Sequence, residues 1–123
     1  MKEIKDKLIA MLPTFISGLQ QVYTIGNGIP NDKNAMEQME RIKGTLDFVH
    51  NFPTLVKPYI KNKELEGTLG MISVLCYKIL QGIEQNNLQT FTIAYNTLHS
   101  LLSRLNILSK NSFISSLENE LKE

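Results

Sequence analysis

Apolar residues recur at spacings of three and four along most of the chain, which is the pattern of amphipathic helices. The first such segment runs from Lys2 to Tyr23. Its apolar positions are Ile4, Leu8, Met11, Leu12, Phe15, Ile16, Leu19 and Val22. Pro13 lies inside this pattern, and because proline lacks an N–H and clashes with the preceding turn, we expect a kink or a new helix start there. The glycine-rich stretch Gly26–Pro30 predicts a loop.

A second helix is predicted to start near Asn31 or Asp32 and to run to about His50, since both starting residues are good N-caps. Its inward stripe is Met36, Met39, Ile42, Leu46 and Val49. The next twelve residues, Asn51–Asn62, contain two prolines. We expect a connector there, with room for at most one or two helical turns.

The third predicted helix, Lys63–Gln85, carries the widest apolar face and is expected to be central. That face is Leu65, Leu69, Ile72, Leu75, Cys76, Ile79, Leu80 and Ile83. Gly67, Gly70 and Ser73 fall three apart. Small residues in such a row predict that a neighbouring helix approaches closely.

Two further helices are predicted. A tight Asn86–Asn87 connection precedes a helix over Leu88–Leu105, and a short one follows over Ser112–Lys122. Short connections favour antiparallel neighbours, and no segment alternates with the period of a strand. The sequence therefore predicts a single all-α domain over residues 1–123. Its expected architecture is an antiparallel bundle of four main helices plus a short C-terminal helix.

The charges nearly cancel, with 13 Lys and Arg against 12 Asp and Glu. They are interleaved, whereas a nucleic-acid-binding protein usually shows a basic patch, so no nucleic-acid partner is expected. The single cysteine, Cys76, cannot form an internal disulfide, which fits a reducing compartment. No signal peptide is visible, and no run approaches the roughly 20 apolar residues of a membrane span. We expect a cytoplasmic location.

The residues that could carry chemistry favour structural roles. His50 and His99 are the only histidines, without the close spacing of metal ligands. His50 is expected at a helix end, near the last carbonyls. Cys76 has mainly apolar helical neighbours, which predicts a buried, inert thiol. Gly26 and Gly28 lack the strand and lysine of a phosphate loop.

Two sets of side chains complete this survey. The candidate paired carboxylates are expected on polar faces: Glu37, Glu40, Glu64 and Glu66. Four methionines could line an adaptable groove, although methionine at helical spacing is more often core: Met11, Met36, Met39 and Met71. The sequence thus predicts no enzyme activity, no cofactor and no metal.

Several segments together resemble one known family. They are Phe15-x-x-x-Leu19-Gln20, a polar loop with Pro30 and Lys33, a helix with Arg41-Ile42 and Leu46-Asp47, the hairpin Leu75–His99 with its Glu-Gln-Asn-Asn turn, and Phe113-Ile114-x-x-Leu117. The chain resembles the C-terminal helical domain shared by the outer-coat scaffold protein of coat protein complex II (COPII) and the steroid receptor RNA activator protein. Two features depart from that family: a longer stretch from Asn51 to Leu65, and no tryptophan in the closing helix.

The resemblance implies a non-catalytic protein-interaction module at the end of a vesicle-coat scaffold, acting in transport from the endoplasmic reticulum to the Golgi. Other coat components would be its partners, and it would be peripheral at the endoplasmic reticulum. The candidate contact lies in the predicted connector: Phe52, Leu55 and Tyr59. The competing interpretation of this patch is that Phe52 and Tyr59 simply cover the core.

Two alternative functions stay open. One is a small stand-alone bacterial or phage protein, such as a bacteriocin-immunity-like bundle that neutralises a toxin. The other is a bundle that binds a ligand or lipid in a pocket lined by Leu75, Ile79, Phe91 and Leu98, although the close apolar spacing on these helices favours a filled core.

Overall fold

A computed structural model describes residues 2–25, 33–109 and 112–122, with the backbone alone of residue 2. These residues form six α-helices and no strand. The helices are α1 (Lys2–Ile25), α2 (Lys33–Arg41), α3 (Lys43–Val56), α4 (Lys63–Glu84), α5 (Leu88–Arg104) and α6 (Ser112–Lys122). The described part of the chain is therefore all-helical, as predicted. The predicted loop at residues 26–30 and the predicted helix start at residues 31 and 32 lie outside the described part.

Helix α1 continues through Pro13, so no new helix begins there. Pro13 lies on the exposed side of α1. Because proline has no N–H, one carbonyl of the preceding turn lacks its helical hydrogen bond, and on this exposed side water can bond to it instead. The inward side of the same helix is fully apolar. Leu8, Leu12, Phe15, Leu19 and Val22 are all buried.

The single second helix of the prediction is two helices, α2 and α3. They are separated at Ile42, whose backbone has φ −108° and ψ 30°. The Ile42 N–H bonds to the carbonyl of Met39, three residues back instead of four. Gly44, two residues further on, has low helix propensity and favours the break.

The predicted connector Asn51–Asn62 is wrong over its first half, because α3 runs through Pro53 to Val56. The apolar phase of α3 explains this. Its buried residues are Leu46, Val49, Phe52, Pro53 and Val56, which share one helical face. Burial of that face outweighs the helix-breaking tendency of one proline. Only a single 3-10 turn, Lys57–Tyr59, and three further residues connect α3 to α4.

Helices α4 and α5 form a hairpin, and its turn contains both a C-terminal hydrogen-bond motif for α4 and an N-cap for α5. Asn86 adopts the left-handed conformation with φ 52°. The N–H groups of Asn86 and Asn87 bond back to the carbonyls of Ile83 and Gly82, which is the Schellman motif. The Asn87 side chain then accepts a bond from the N–H of Thr90 and caps α5. Asn87 thus takes part in both the end of α4 and the start of α5, which explains the predicted tight connection.

Replacing Asn87 with alanine is expected to lower the free energy of unfolding by about 1 kcal/mol, because the first turn of α5 loses its capping acceptor. Asn87→Asp keeps an acceptor oxygen and serves as the matched control. Urea unfolding followed by circular dichroism measures both. Equal stability of the alanine variant and the wild type would contradict this account of the cap.

Helix α4 is central, as predicted: it contacts α2, α3, α5 and α6. It runs antiparallel to α3, since Lys43 at the start of α3 lies 3.9 Å from Glu84 at the end of α4. It also runs antiparallel to α5, and the two helices approach each other closely at Gly82. A Cβ atom on Gly82 would lie 2.7 Å from the backbone nitrogen of Phe91. Within α4, the glycine that allows a close crossing is therefore Gly82, and not the predicted Gly67 or Gly70.

Candidate functional site

The predicted contact patch in the connector divides between core and surface. Phe52 is fully buried in α3, and its ring stacks on Phe15 with centroids 4.6 Å apart. It offers no surface to a partner, so its proposed contact role is corrected: it belongs to the core. Tyr59 is half-buried, with the Lys5 ammonium 5.8 Å from its ring centre. Of the three residues, only Leu55 is widely accessible, at 49% exposure.

His50 is not at a helix end, because α3 extends six residues beyond it. Its Nδ1 lies 2.9 Å from the Ser73 carbonyl oxygen, which only accepts, so this bond requires a proton on Nδ1. In return the Ser73 hydroxyl donates to the His50 carbonyl at 2.8 Å. These two hydrogen bonds connect α3 to α4. Of Gly67, Gly70 and Ser73, the predicted row of small residues, only Ser73 therefore contacts a neighbouring helix in this way.

His99 lies on α5 with its ring stacked on Tyr23 of α1, at a centroid distance of 4.2 Å and an interplanar angle of 7°. Its Nε2 is buried and has no hydrogen-bond partner within the described part of the chain. The two histidines are thus held in separate packing environments. Searched over the described ranges, the chain contains no group of three His, Cys, Asp or Glu residues that could hold a metal ion.

Cys76 is completely buried on the inner side of α4, and burial raises the pKa of its thiol from 9.0 to about 12. The thiolate is the nucleophilic form, so this environment suppresses reactivity at neutral pH. The prediction of a buried thiol is confirmed.

The Cys76 thiol is expected to resist thiol reagents between pH 7 and 9 in the folded protein and to react fully after unfolding in urea. Because its pKa is higher in the folded state, its protonated form contributes stability below pH 9, and that contribution is lost as pH rises through 9 toward 12. The stability of wild type relative to Cys76→Ala should therefore fall over this alkaline window. Rapid modification of the folded protein at pH 8 would contradict the assigned burial.

The remaining candidate side chains are dispersed. Glu37, Glu40 and Glu64 are exposed and Glu66 is half-exposed. Of the four methionines considered as a groove, Met36 and Met39 are buried in α2, Met11 is half-buried and Met71 is exposed. They line no common groove. Of the four residues expected around a ligand pocket, Ile79, Phe91 and Leu98 are fully buried, and Leu75 lines an open surface groove.

The most distinctive surface is the side of α4 that faces solvent. We call it the α4 outer face and define it as Gly67, Gly70, Met71, Val74 and Tyr77, all of them exposed. Met71, Val74 and Tyr77 are 46%, 52% and 48% exposed. No charged residue occurs between positions 66 and 78. Solvent-facing helix surfaces normally carry charged and polar side chains, so three uncharged turns form an unusual apolar surface.

Grooves flank this face on both sides. The groove between α3 and α4 has a volume of about 290 Å³ and is lined by Pro53, Thr54, Lys57, Glu66, Leu69, Gly70, Ser73 and Val74. The groove between α4 and α5 has a volume of about 480 Å³ and is lined by Gly67, Gly70, Met71, Val74, Leu75 and Thr97. Gly70 and Val74 belong to both. Because a Cβ on Gly67 or Gly70 would meet no atom within 4 Å, the surface at these two glycines is open to solvent.

Sequence reasoning found the small-residue row but assigned it to packing inside the domain. The signal it missed is the exposed apolar set beside the row. Met71, Val74 and Tyr77 follow at spacings of three, in a helix whose opposite side already supplies a full core stripe. Apolar residues on the exposed side of a helix, in addition to those on its buried side, predict contacts on both sides.

One helix of the described part, Glu3–Ile25, is long and apolar enough to cross a membrane by length and composition. This test uses mean hydropathy over a window, whereas the prediction concerned an unbroken run of roughly 20 apolar residues. The prediction that no segment spans a membrane therefore stays a prediction. The core helix of a folded domain and a signal sequence near the N-terminus pass the same test. In the folded chain, the buried stripe of α1 packs into the core.

Comparisons of the chain with known protein families, with curated proteins and with solved structures find no match.

Proposed function

We propose that this chain is a non-catalytic protein-interaction module that binds its partner through the α4 outer face. One observation carries the proposal: the solvent-facing side of three consecutive turns of α4 is exposed, apolar and uncharged. Burying such a surface against a partner gains roughly 25 cal/mol for each Å² of apolar area removed from water. In this proposal the domain is an antiparallel bundle of four main helices with a short C-terminal helix, and it displays the face rigidly.

The surroundings of the face suit a helical or apolar partner surface. The grooves beside α4 are open to solvent, and Gly67 and Gly70 allow a partner to approach the α4 backbone. Helix-in-groove recognition uses apolar anchors at such spacings. Hot spots in protein interfaces favour aromatic residues with apolar neighbours, which matches Tyr77 beside Val74.

A more specific proposal is that the module belongs to the COPII vesicle coat at the endoplasmic reticulum, with other coat components as partners. It rests on the resemblance of the helical segments around Phe15, Arg41, the α4–α5 hairpin and Phe113. The module would then serve as the protein-binding end of a scaffold.

Affinity purification of the intact protein from its native cell tests the function. Three forms are compared: wild type, Val74→Lys on the α4 outer face, and Leu108→Lys as a matched control at another exposed apolar residue. We expect wild type and Leu108→Lys to recover the same proteins and Val74→Lys to lose them. Equal recovery by all three forms would overturn the assigned surface.

The identity of the recovered proteins tests the narrower proposal. Coat components that disappear with Val74→Lys support a place in the vesicle coat. Recovery of only a toxin or a membrane transporter contradicts it.

A further inference from the structure

We propose that the α4 outer face binds a second copy of this chain, forming a two-fold symmetric dimer in which α4 packs antiparallel against α4 of the other copy. This inference rests on the proposed function, because it names an occupant for the same face. The two-fold axis would pass through the face at the level of Ile72, whose own side chain is buried on the opposite side of α4.

Charge complementarity selects this occupant. Glu66 and Lys78 flank the uncharged face, and each lies six residues from Ile72. An antiparallel pairing about Ile72 places Glu66 of each copy opposite Lys78 of the other. Within one copy the two residues are about 18 Å apart along the helix axis, too far to pair. In the described part of the chain, neither of them makes an ion pair.

The same pairing matches large side chains with small ones. Gly67 and Tyr77 are equidistant from Ile72, as are Gly70 and Val74, so each large residue meets a glycine of the other copy. Open space above the glycines is available for the incoming side chains. The same helix thus carries both the large residues and the glycines that receive them. A two-fold interface requires this, because the same surface patch of each copy must be complementary to itself.

The flanking grooves follow the same symmetry. Glu66 and Ser73 border the groove toward α3, whereas Met71 and Leu75 border the groove toward α5. A two-fold axis perpendicular to the face exchanges the two sides. Met71, which mirrors Ser73 across Ile72, would then enter the 290 Å³ groove of the other copy. The exposed methionine and the open groove are complementary in this arrangement.

Sedimentation equilibrium over a concentration series measures the dimer, and charge reversal tests its register. We expect Glu66→Lys and Lys78→Glu to raise the dimer dissociation constant about tenfold each, because each opposes like charges twice per dimer. The double variant Glu66→Lys with Lys78→Glu should restore wild-type affinity. Glu64→Lys is the control for net charge alone, since Glu64 lies off the face on the same helix.

A second variant tests the apolar centre. Val74→Glu places unpaired carboxylates in the interface and should weaken the dimer at least about a hundredfold. Its circular dichroism should match wild type, and so should its urea unfolding at a concentration where wild type is also monomeric. A wild-type chain that stays monomeric up to millimolar concentration overturns the proposal. So does a double charge reversal that is no tighter than either single reversal.

The outcomes separate this inference from the proposed function. A monomeric wild type whose cellular partners are nevertheless lost with Val74→Lys overturns the dimer and keeps the interaction module. A dimer whose affinity is restored by the double charge reversal supports the self-pairing. This holds even if Val74→Lys leaves the recovered proteins unchanged, a result that would overturn only the proposed partner surface.

Discussion

Replacing Phe52 with alanine is expected to lower the free energy of unfolding by about 3–5 kcal/mol, the range for truncating a buried aromatic side chain. Phe52 is fully buried, stacks on Phe15 of α1 and lies 5.8 Å from the Phe48 ring. The substitution removes these contacts at the crossing of α1 and α3 and leaves a cavity. Urea unfolding monitored by circular dichroism measures the loss.

Leu55→Ala is the matched control, since Leu55 lies three residues further along α3 and is half exposed. It should change the unfolding free energy by no more than about 0.5 kcal/mol. A small effect of Phe52→Ala, similar to that of Leu55→Ala, would contradict the core position of Phe52. That result would instead favour the interpretation of Phe52 and Leu55 as a surface contact patch.

The second large effect is expected at Gly82, where alanine should lower the free energy of unfolding by about 2 kcal/mol. Its Cβ would lie 2.7 Å from the Phe91 nitrogen and 2.9 Å from the Phe91 Cα. These are backbone atoms in the first turn of α5, so α4 and α5 must move apart. Overpacking of this kind costs about 1–3 kcal/mol and outweighs the gain in helix propensity.

Gly44→Ala provides the opposite case in the same protein. Gly44 lies in α3, and an added Cβ meets no atom within 4 Å. Alanine there should raise the unfolding free energy by about 0.5–1 kcal/mol through helix propensity alone. Thermal or urea unfolding of both variants is the measurement. If Gly82→Ala also raised the unfolding free energy, α4 and α5 would have to be farther apart at Gly82 than the 2.7 Å between its added Cβ and the Phe91 nitrogen allows.

Much of the helical architecture follows from periodicity. The predicted ends of α4, α5 and α6 lie within one residue of those observed. Asn62 and Asn87 cap α4 and α5, and turns over residues 105–108 follow α5. The errors occur where local and tertiary preferences disagree. At Ile42 the apolar stripe continues although the helix breaks, and at Pro53 the helix continues although proline disfavours it.

The candidate surface could be predicted only in part. The row of Gly67, Gly70 and Ser73 indicates close packing, but sequence spacing alone does not say whether the neighbour lies inside the domain or outside it. The fold decides this, because α3 and α5 occupy the flanks of α4 and leave the two glycines uncovered. Phe52 illustrates a related limit of spacing: two prolines indicate a connector, in which an aromatic residue can be a contact or can cover the core. Its burial in α3 decides for the competing interpretation, in which it covers the core.

The most direct test of the α4 outer face is an NMR comparison of backbone amide signals in the free and bound protein, with the bound state formed by self-association or by a recovered partner. The account predicts that the largest shifts fall on Gly67–Tyr77, with smaller ones at Thr54 and Thr97 beside the grooves. Shifts centred on Leu55 and Tyr59, with the α4 signals unchanged, would contradict it.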